Sequence, residues 1–197
     1  LQSYQYFKNA GKHNYALNSL HNVANNHANA KRFQQAINVY RELEKEIQDH
    51  TSNDFISGVY RNLAWALLNK DDSDTENAYR YILLAGEHVK QSEQYTIKLQ
   101  YIIDKAYVLE KMARYQDALI ELEQAEKLLE GRSSDIYDTS IVNILYLSAK
   151  LHYALGHYQK AYQVQTQYFA KSIAHEQARE TNKIDELRLQ YQSATAQ

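Results

Sequence analysis

Residues 106–125, AYVLEKMARYQDALIELEQA, decide how this chain folds. Ala106 and Ala118 stand twelve positions apart, Tyr115 lies between them, and apolar residues recur at three- and four-residue steps on either side. That period belongs to helices with one buried face, and the interruption at residues 112–114 separates two of them. Small residues at the paired positions let two antiparallel helices approach closely, while the aromatic plugs the turn.

The pattern recurs in both directions. It is preceded by Leu20-x2-Val23-Ala24-x8-Phe33-x2-Ala36-x3-Tyr40-x2-Leu43 and followed by Leu145-x3-Ala149-x8-Tyr158-x2-Ala161-x3-Gln165-x2-Tyr168. A fourth copy, Tyr60-x2-Leu63-Ala64 with Ala78-x3-Ile82-x2-Ala85, has its turn lengthened by NKDDSDT at residues 69–75. The small residues at 24, 64, 106 and 149 recur at intervals of 40, 42 and 43, enough for two helices and two short turns per unit. The expected organisation is a single domain with repeats at 13–50, 51–92, 93–133 and 134–173. Residues 1–12 would end a preceding unit, and 174–197 would form a closing or exit helix. Turn signals agree: Gly131 with Ser133, Ser134 and Asp135 reads as a C-cap and then an N-cap, Gly156 sits in a tight turn, and Thr51-Ser52-Asn53-Asp54 opens a helix.

Composition excludes the alternatives. The 197 residues hold 5 Gly, no Pro and no Cys, against about ten prolines and about fourteen glycines at ordinary frequencies. Turn-rich sandwiches and barrels need that punctuation, so a helical chain is what remains. A net charge of -2 provides no electrostatic footprint for nucleic acid. Without Cys there is no thiolate catalysis and no Cys-ligated zinc or iron–sulfur cluster, in either a reducing or an oxidising compartment. No apolar run approaches the ~18 residues of a membrane span. The chain opens at Leu1 rather than Met, which suggests an excised or processed piece of a longer protein.

The stretches at 106–125 and 149–168 (AKLHYALGHYQKAYQVQTQY) resemble the tetratricopeptide repeat (TPR) family in their order of small residue, tight turn, aromatic and Ala. The likeness covers residues 14–173 and implies an all-α, TPR-like superhelix of antiparallel helix pairs that binds peptides or proteins without catalysis. Two features depart from the family. Its usual repeat is ~34 residues, shorter than the units here, and the proline that closes each of its repeats is absent. The large residue at the inner end of the first helix is His27 in one unit and His152 in another, each a polar-edged stand-in for Tyr.

Catalytic and metal signals are weak. His175-Glu176-x-x-Arg179 has Arg where a zinc-protease helix needs its second His. The acidic turn at residues 71–76 lacks the Gly and the bidentate Glu of a calcium loop, and reads better as a solvated turn that caps the next helix. No cofactor, metal or catalytic residue is expected.

In arrays of this type the first helices line the concave side, and their outward residues fall between the core positions. The groove residues read off here are Asn18, His21, Asn25 and Asn29, then Arg61 and Trp65, then Gln100, Ile103 and Tyr107, and finally Asn143, Tyr146, Lys150 and Tyr153. Amides pair with the backbone of an extended peptide, Arg61 and Lys150 with a carboxylate, and Trp65 with the tyrosines gives rigid contact area. A peptide, a protein or a small anionic ligand would suit such a surface; a merely solvated solenoid face is the other reading.

At the C-terminal end, residues 182–192 (NKIDELRLQYQ) resemble the E-L-R-x-Q-[FY] junction that closes TPR sensor domains of bacterial membrane-bound diguanylate cyclases and histidine kinases. The resemblance implies a periplasmic sensor whose exit helix drives an output domain; a cytoplasmic TPR peptide receptor or regulator is the alternative. Ile184, Leu187, Tyr191 and Ala194 stand at 3-4-3 spacing, the seam of a two-stranded coil and hence of a homodimer, or equally an end-cap docked on the fourth repeat.

Overall fold

Nine helices and no strand make up the described residues of the computed structural model, which are 2–48, 51–130 and 139–195. Six of the helices lie in one compact unit, residues 1–114: α1 (Gln2–Asn9), α2 (His13–Asn29), α3 (Phe33–Glu46), α4 (Asn53–Asn69), α5 (Thr75–Val89) and α6 (Tyr95–Lys111). The second unit, residues 115–197, holds α7 (Tyr115–Leu129), α8 (Thr139–Ala154) and α9 (Tyr158–Thr195).

Each helix of the first unit packs on its chain neighbour, and α4 also meets α2 and α6. The small residues do what their spacing requires. Ala24, Ala36, Ala64, Ala78 and Ala85 are wholly enclosed or nearly so, and Leu20, Tyr40, Leu43, Leu63 and Ile82 close around them. Gly86 serves a related purpose between α5 and α6: a Cβ there would lie 2.9 Å from Cζ of Tyr101, so the tyrosine packs where any other residue would push it aside. In the second unit α8 packs on both α7 and α9, and Leu122, Ile144, Leu147, Leu151, Ala161 and Val164 are buried.

Four tight turns share one backbone solution. After α1, α2, α6 and α8 the chain passes through a left-handed residue, respectively Gly11 (φ 68°), Lys31 (φ 57°), Ala113 (φ 58°) and Gly156 (φ 78°). In each, the left-handed residue donates its N–H to the carbonyl three back, and the next residue donates to the carbonyl five back, as in Lys31 to Ala28 and Arg32 to His27. These are Schellman turns, which satisfy the last carbonyls of the helix and fix where the next one starts. Two of the remaining connections are capped by side chains at the start of the next helix. The Ser52 hydroxyl accepts from the Phe55 N–H at 3.3 Å, and Asp74 in the lengthened acidic turn accepts from the Asn77 N–H at 3.1 Å and its amide at 2.8 Å. Those bonds hold the Asp74 carboxyl below its ordinary range.

Several expectations need correction. No closing helix begins at residue 174, because α9 starts at Tyr158 as the partner of α8 and continues unbroken to Thr195. Nothing in residues 158–195 is a Pro or Gly that would stop it. Ile103, read as facing outward, is buried, since two β-branched neighbours in succession, Ile102 and Ile103, leave the spacing argument a choice of face. Ile184, Leu187 and Tyr191 are 52%, 56% and 73% exposed, so they do not dock as an end-cap within their unit. Ala194 lies outside the residues whose side chains are described, as does the turn signal from Gly131 to Asp135.

Candidate functional site

In the first unit four of the predicted groove positions, His21, Asn25, Arg61 and Gln100, are tied into two hydrogen-bonded groups. One is centred on Asn25, whose side-chain oxygen accepts from the Tyr40 hydroxyl at 2.5 Å and from the Asn62 amide at 3.0 Å. The same Asn62 amide nitrogen lies 3.1 Å from Nε2 of His21. Burial pushes the His21 pKa down, so the neutral ring with Nε2 as acceptor completes the group. Burial likewise pushes the Tyr40 hydroxyl up, keeping it protonated as a donor.

The other group is ionic. Arg61 on α4 donates from Nε to Asp104 on α6 at 2.6 Å, and the Gln100 amide donates to the second carboxylate oxygen at 2.9 Å. The carboxylate that Arg61 holds is therefore the protein's own. Trp65, one turn further along α4, meets Phe33 edge to face with centroids 5.3 Å apart, and 42% of it is exposed. Tyr107 is half-buried and carries the Lys111 ammonium 5.3 Å from its ring centre. Asn18 is exposed and folds back onto the Asn14 carbonyl at 2.9 Å, while Asn29 is exposed at the end of α2.

In the second unit three of the four predicted residues come together. Tyr146, Lys150 and Tyr153 on α8 line a cleft of about 410 Å³ with Gln165, Tyr168 and Phe169 on α9. Ala149 and Ala161, the small residues of the helix crossing, give the cleft its depth. Tyr146 and Tyr168 form one wall, centroids 5.6 Å apart. Asn143 is exposed outside this lining.

Sequence reasoning missed Asn62, Asp104 and the α9 side of the cleft. Asp104 was within reach, being four residues after Gln100 and three before Tyr107 and so on their face of the helix. Gln165 and Tyr168 hold core positions in the repeat pattern and Phe169 holds none, yet all three line the cleft. Among the described residues no cluster of His, Asp or Glu has the arrangement of a metal site, and no helix is long and apolar enough to cross a membrane. His175 instead approaches the Thr139 hydroxyl at 3.3 Å.

No family profile and no curated protein matches the sequence. Solved structures do match in fold. The nearly identical TPR-like repeats of a kinesin light chain-type protein from Podosopora anserina superpose with a TM-score of 0.63 at 15% identity, over 80% of this chain and 75% of that one. A glutamine-to-methionine variant of the same repeats gives 0.66 at 14% identity, over 83% and 77%. Similarity at that identity concerns the fold alone, and with the helix pairs and Schellman turns above it shows that this chain is an all-α protein of TPR-like fold.

Proposed function

We propose that the chain is a non-catalytic, protein-binding repeat module and serves as the periplasmic sensor domain of a bacterial membrane signalling protein. The observation that carries the reading is α9. Its first turns are anchored against α8 through Ala161 and Val164, and the same helix runs on to Thr195 as one rod of 38 residues. A ligand that repacks α8 against α9 then displaces the distal end of a continuous helix, which is what an output domain needs to sense. The E-L-R-x-Q-Y segment at residues 186–191 lies on that distal part.

The ligands that suit the two surfaces are peptides or proteins. Trp65, Tyr146 and Tyr153 offer aromatic contact area, and amides such as Asn18 and Gln165 offer backbone-compatible hydrogen bonds. A small anion is less suited to the first unit, because Asp104 already neutralises Arg61.

The test is protease accessibility of this domain in the full-length protein in its native cells. Digestion once the outer membrane is opened, with the inner membrane intact, is the expected result. Digestion only after inner-membrane lysis overturns the sensor reading and makes the chain a cytoplasmic peptide receptor.

A further inference from the structure

Within its unit α9 packs on α8 alone among the described helices, and the flank next to that contact is apolar and open. Tyr162, Phe169 and Ile173, at steps of seven and four, fall on one face of the helix and are 73%, 54% and 58% exposed. The repeat register shows what the Tyr162 end of that face is for. The position after the small residue is Ile37 in α3 and Leu119 in α7, both buried, and each of those helices has the first helix of the next pair beside it, α4 and α8 respectively. In α9 the same position is Tyr162. The position three further on is buried as Tyr40 in α3 and Leu122 in α7, and open as Gln165 in α9.

We infer that this flank of α9, together with the aromatic cleft it shares with α8, docks an amphipathic α-helix of a partner protein in the way α4 lies beside α3 within the chain. The partner helix presents aliphatic side chains at i, i+4 and i+7, one of them entering the cleft between Tyr146 and Phe169. Stacking of this kind is the interface that the chain already uses between its own pairs, continued by another protein.

A second copy of the chain fits less well. In a parallel pairing on the Ile184–Leu187 register, Glu180 would face its counterpart across the seam, and Lys183 would face Arg188 of the other copy. The surface shares no residue with the Trp65 patch of the first unit, and the inference holds whichever compartment the protein occupies.

The experiment uses a fluorescent, end-blocked peptide of residues 53–69, the helix that lies beside α3, titrated into the whole chain and read by anisotropy. Saturable binding with a Kd on the order of 10–100 µM is expected. It should weaken at least about tenfold in a Tyr162→Glu, Phe169→Glu double variant and stay unchanged in Glu42→Ala, at an exposed residue of α3. The Tyr162→Ser, Phe169→Ser pair replaces the first should the glutamates lower the melting temperature. Binding that ignores both α9 variants means that the peptide enters elsewhere, and no saturation by ~1 mM means that the flank takes no helix; either result overturns the inference. Sedimentation of a dimer that Phe169→Glu dissociates overturns it in favour of a second copy. None of these readings bears on which side of a membrane the domain lies.

Discussion

Arg61 on α4 and Asp104 on α6 meet at 2.6 Å, with only 14% and 30% of their side chains exposed. The pair joins two helices that are not chain neighbours, so it contributes to how successive first helices are set side by side. It also changes the chemistry of the groove, since the guanidinium faces a fixed internal carboxylate rather than an open surface.

Removing one partner leaves the other charge partly enclosed and uncompensated. Asp104→Ala is expected to destabilise the chain by about 1–3 kcal/mol, between the values for exposed and buried pairs. A double-mutant cycle with Arg61→Ala in urea should give a coupling of about 1–2 kcal/mol. Additive single effects would show that the two groups do not stabilise each other in solution.

The left-handed turn residues set up a comparison of opposite signs. Lys31 and Ala113 hold φ values of 57° and 58° that L side chains adopt at a cost, whereas Gly156 holds 78° freely. Lys31→Gly and Ala113→Gly should each stabilise by about 0.5–1 kcal/mol, and Gly156→Ala should destabilise by about 1 kcal/mol. Thermal melts of the three variants check this; a lower melting temperature for both glycine variants would contradict the shared turn geometry.

At the helix crossings, Ala36 and Ala78 are wholly enclosed. Leu at either position should cost about 1–3 kcal/mol by overpacking, while Gln159→Ala, on an exposed residue, should stay within about 0.5 kcal/mol. Chemical denaturation of the three proteins gives the comparison directly.

His21 makes stability depend on acidity in a definite direction. Its folded pKa is depressed by burial, so below its unfolded pKa of about 6.5 the unfolded chain binds the extra proton. The stabilising contribution of the neutral ring is fully present above that pH and is lost as pH falls towards the folded pKa. Half-buried His152 is shifted the same way, mainly by burial, with His157 and Lys160 adding to it and Glu123 opposing. Urea midpoints from pH 7.5 to 5 should therefore fall with acid, and less steeply in His21→Gln; an identical slope in that variant would remove His21 from the account.

The architecture was legible because it is written in spacing. Ala24, Ala36, Ala106 and Ala118 fix helix period and partner position without reference to anything distant in the chain. The candidate surfaces were less legible for a physical reason. Asn25 and Arg61 were found by their register on a helix face, but whether such a side chain is offered to a ligand depends on what stands opposite. Asn62 and Asp104 occupy that place through packing between repeats, which helical periodicity does not encode. Similarly, Tyr162 and Gln165 stand in the register of Ile37 and Tyr40 in α3, which are buried, and only the absence of a described helix beside α9 in its unit leaves them as surface.

The distal part of α9 gives the last prediction. Ile184, Leu187 and Tyr191 line one side of the helix and are more than half exposed, with Leu189, 66% exposed, on another. Side chains that bury so little contribute little to the stability of the unit beneath them, and the i,i+3 pair of Arg188 with Asp185 at 3.5 Å is a surface ion pair of small value. A chain ending at Asn182 should accordingly melt within about 2 °C of the intact one, since a loss of about 0.5 kcal/mol shifts the midpoint of a domain this size by no more than that. Ending instead at Gln163, which deletes Val164 and the α9 side of the cleft, should lower the midpoint well beyond that margin, because Val164 is buried against the repeat core. If the Asn182 truncation melts as early as the Gln163 one, the distal segment is folded back onto the repeats in solution and α9 is not the rod that a transmitting helix requires.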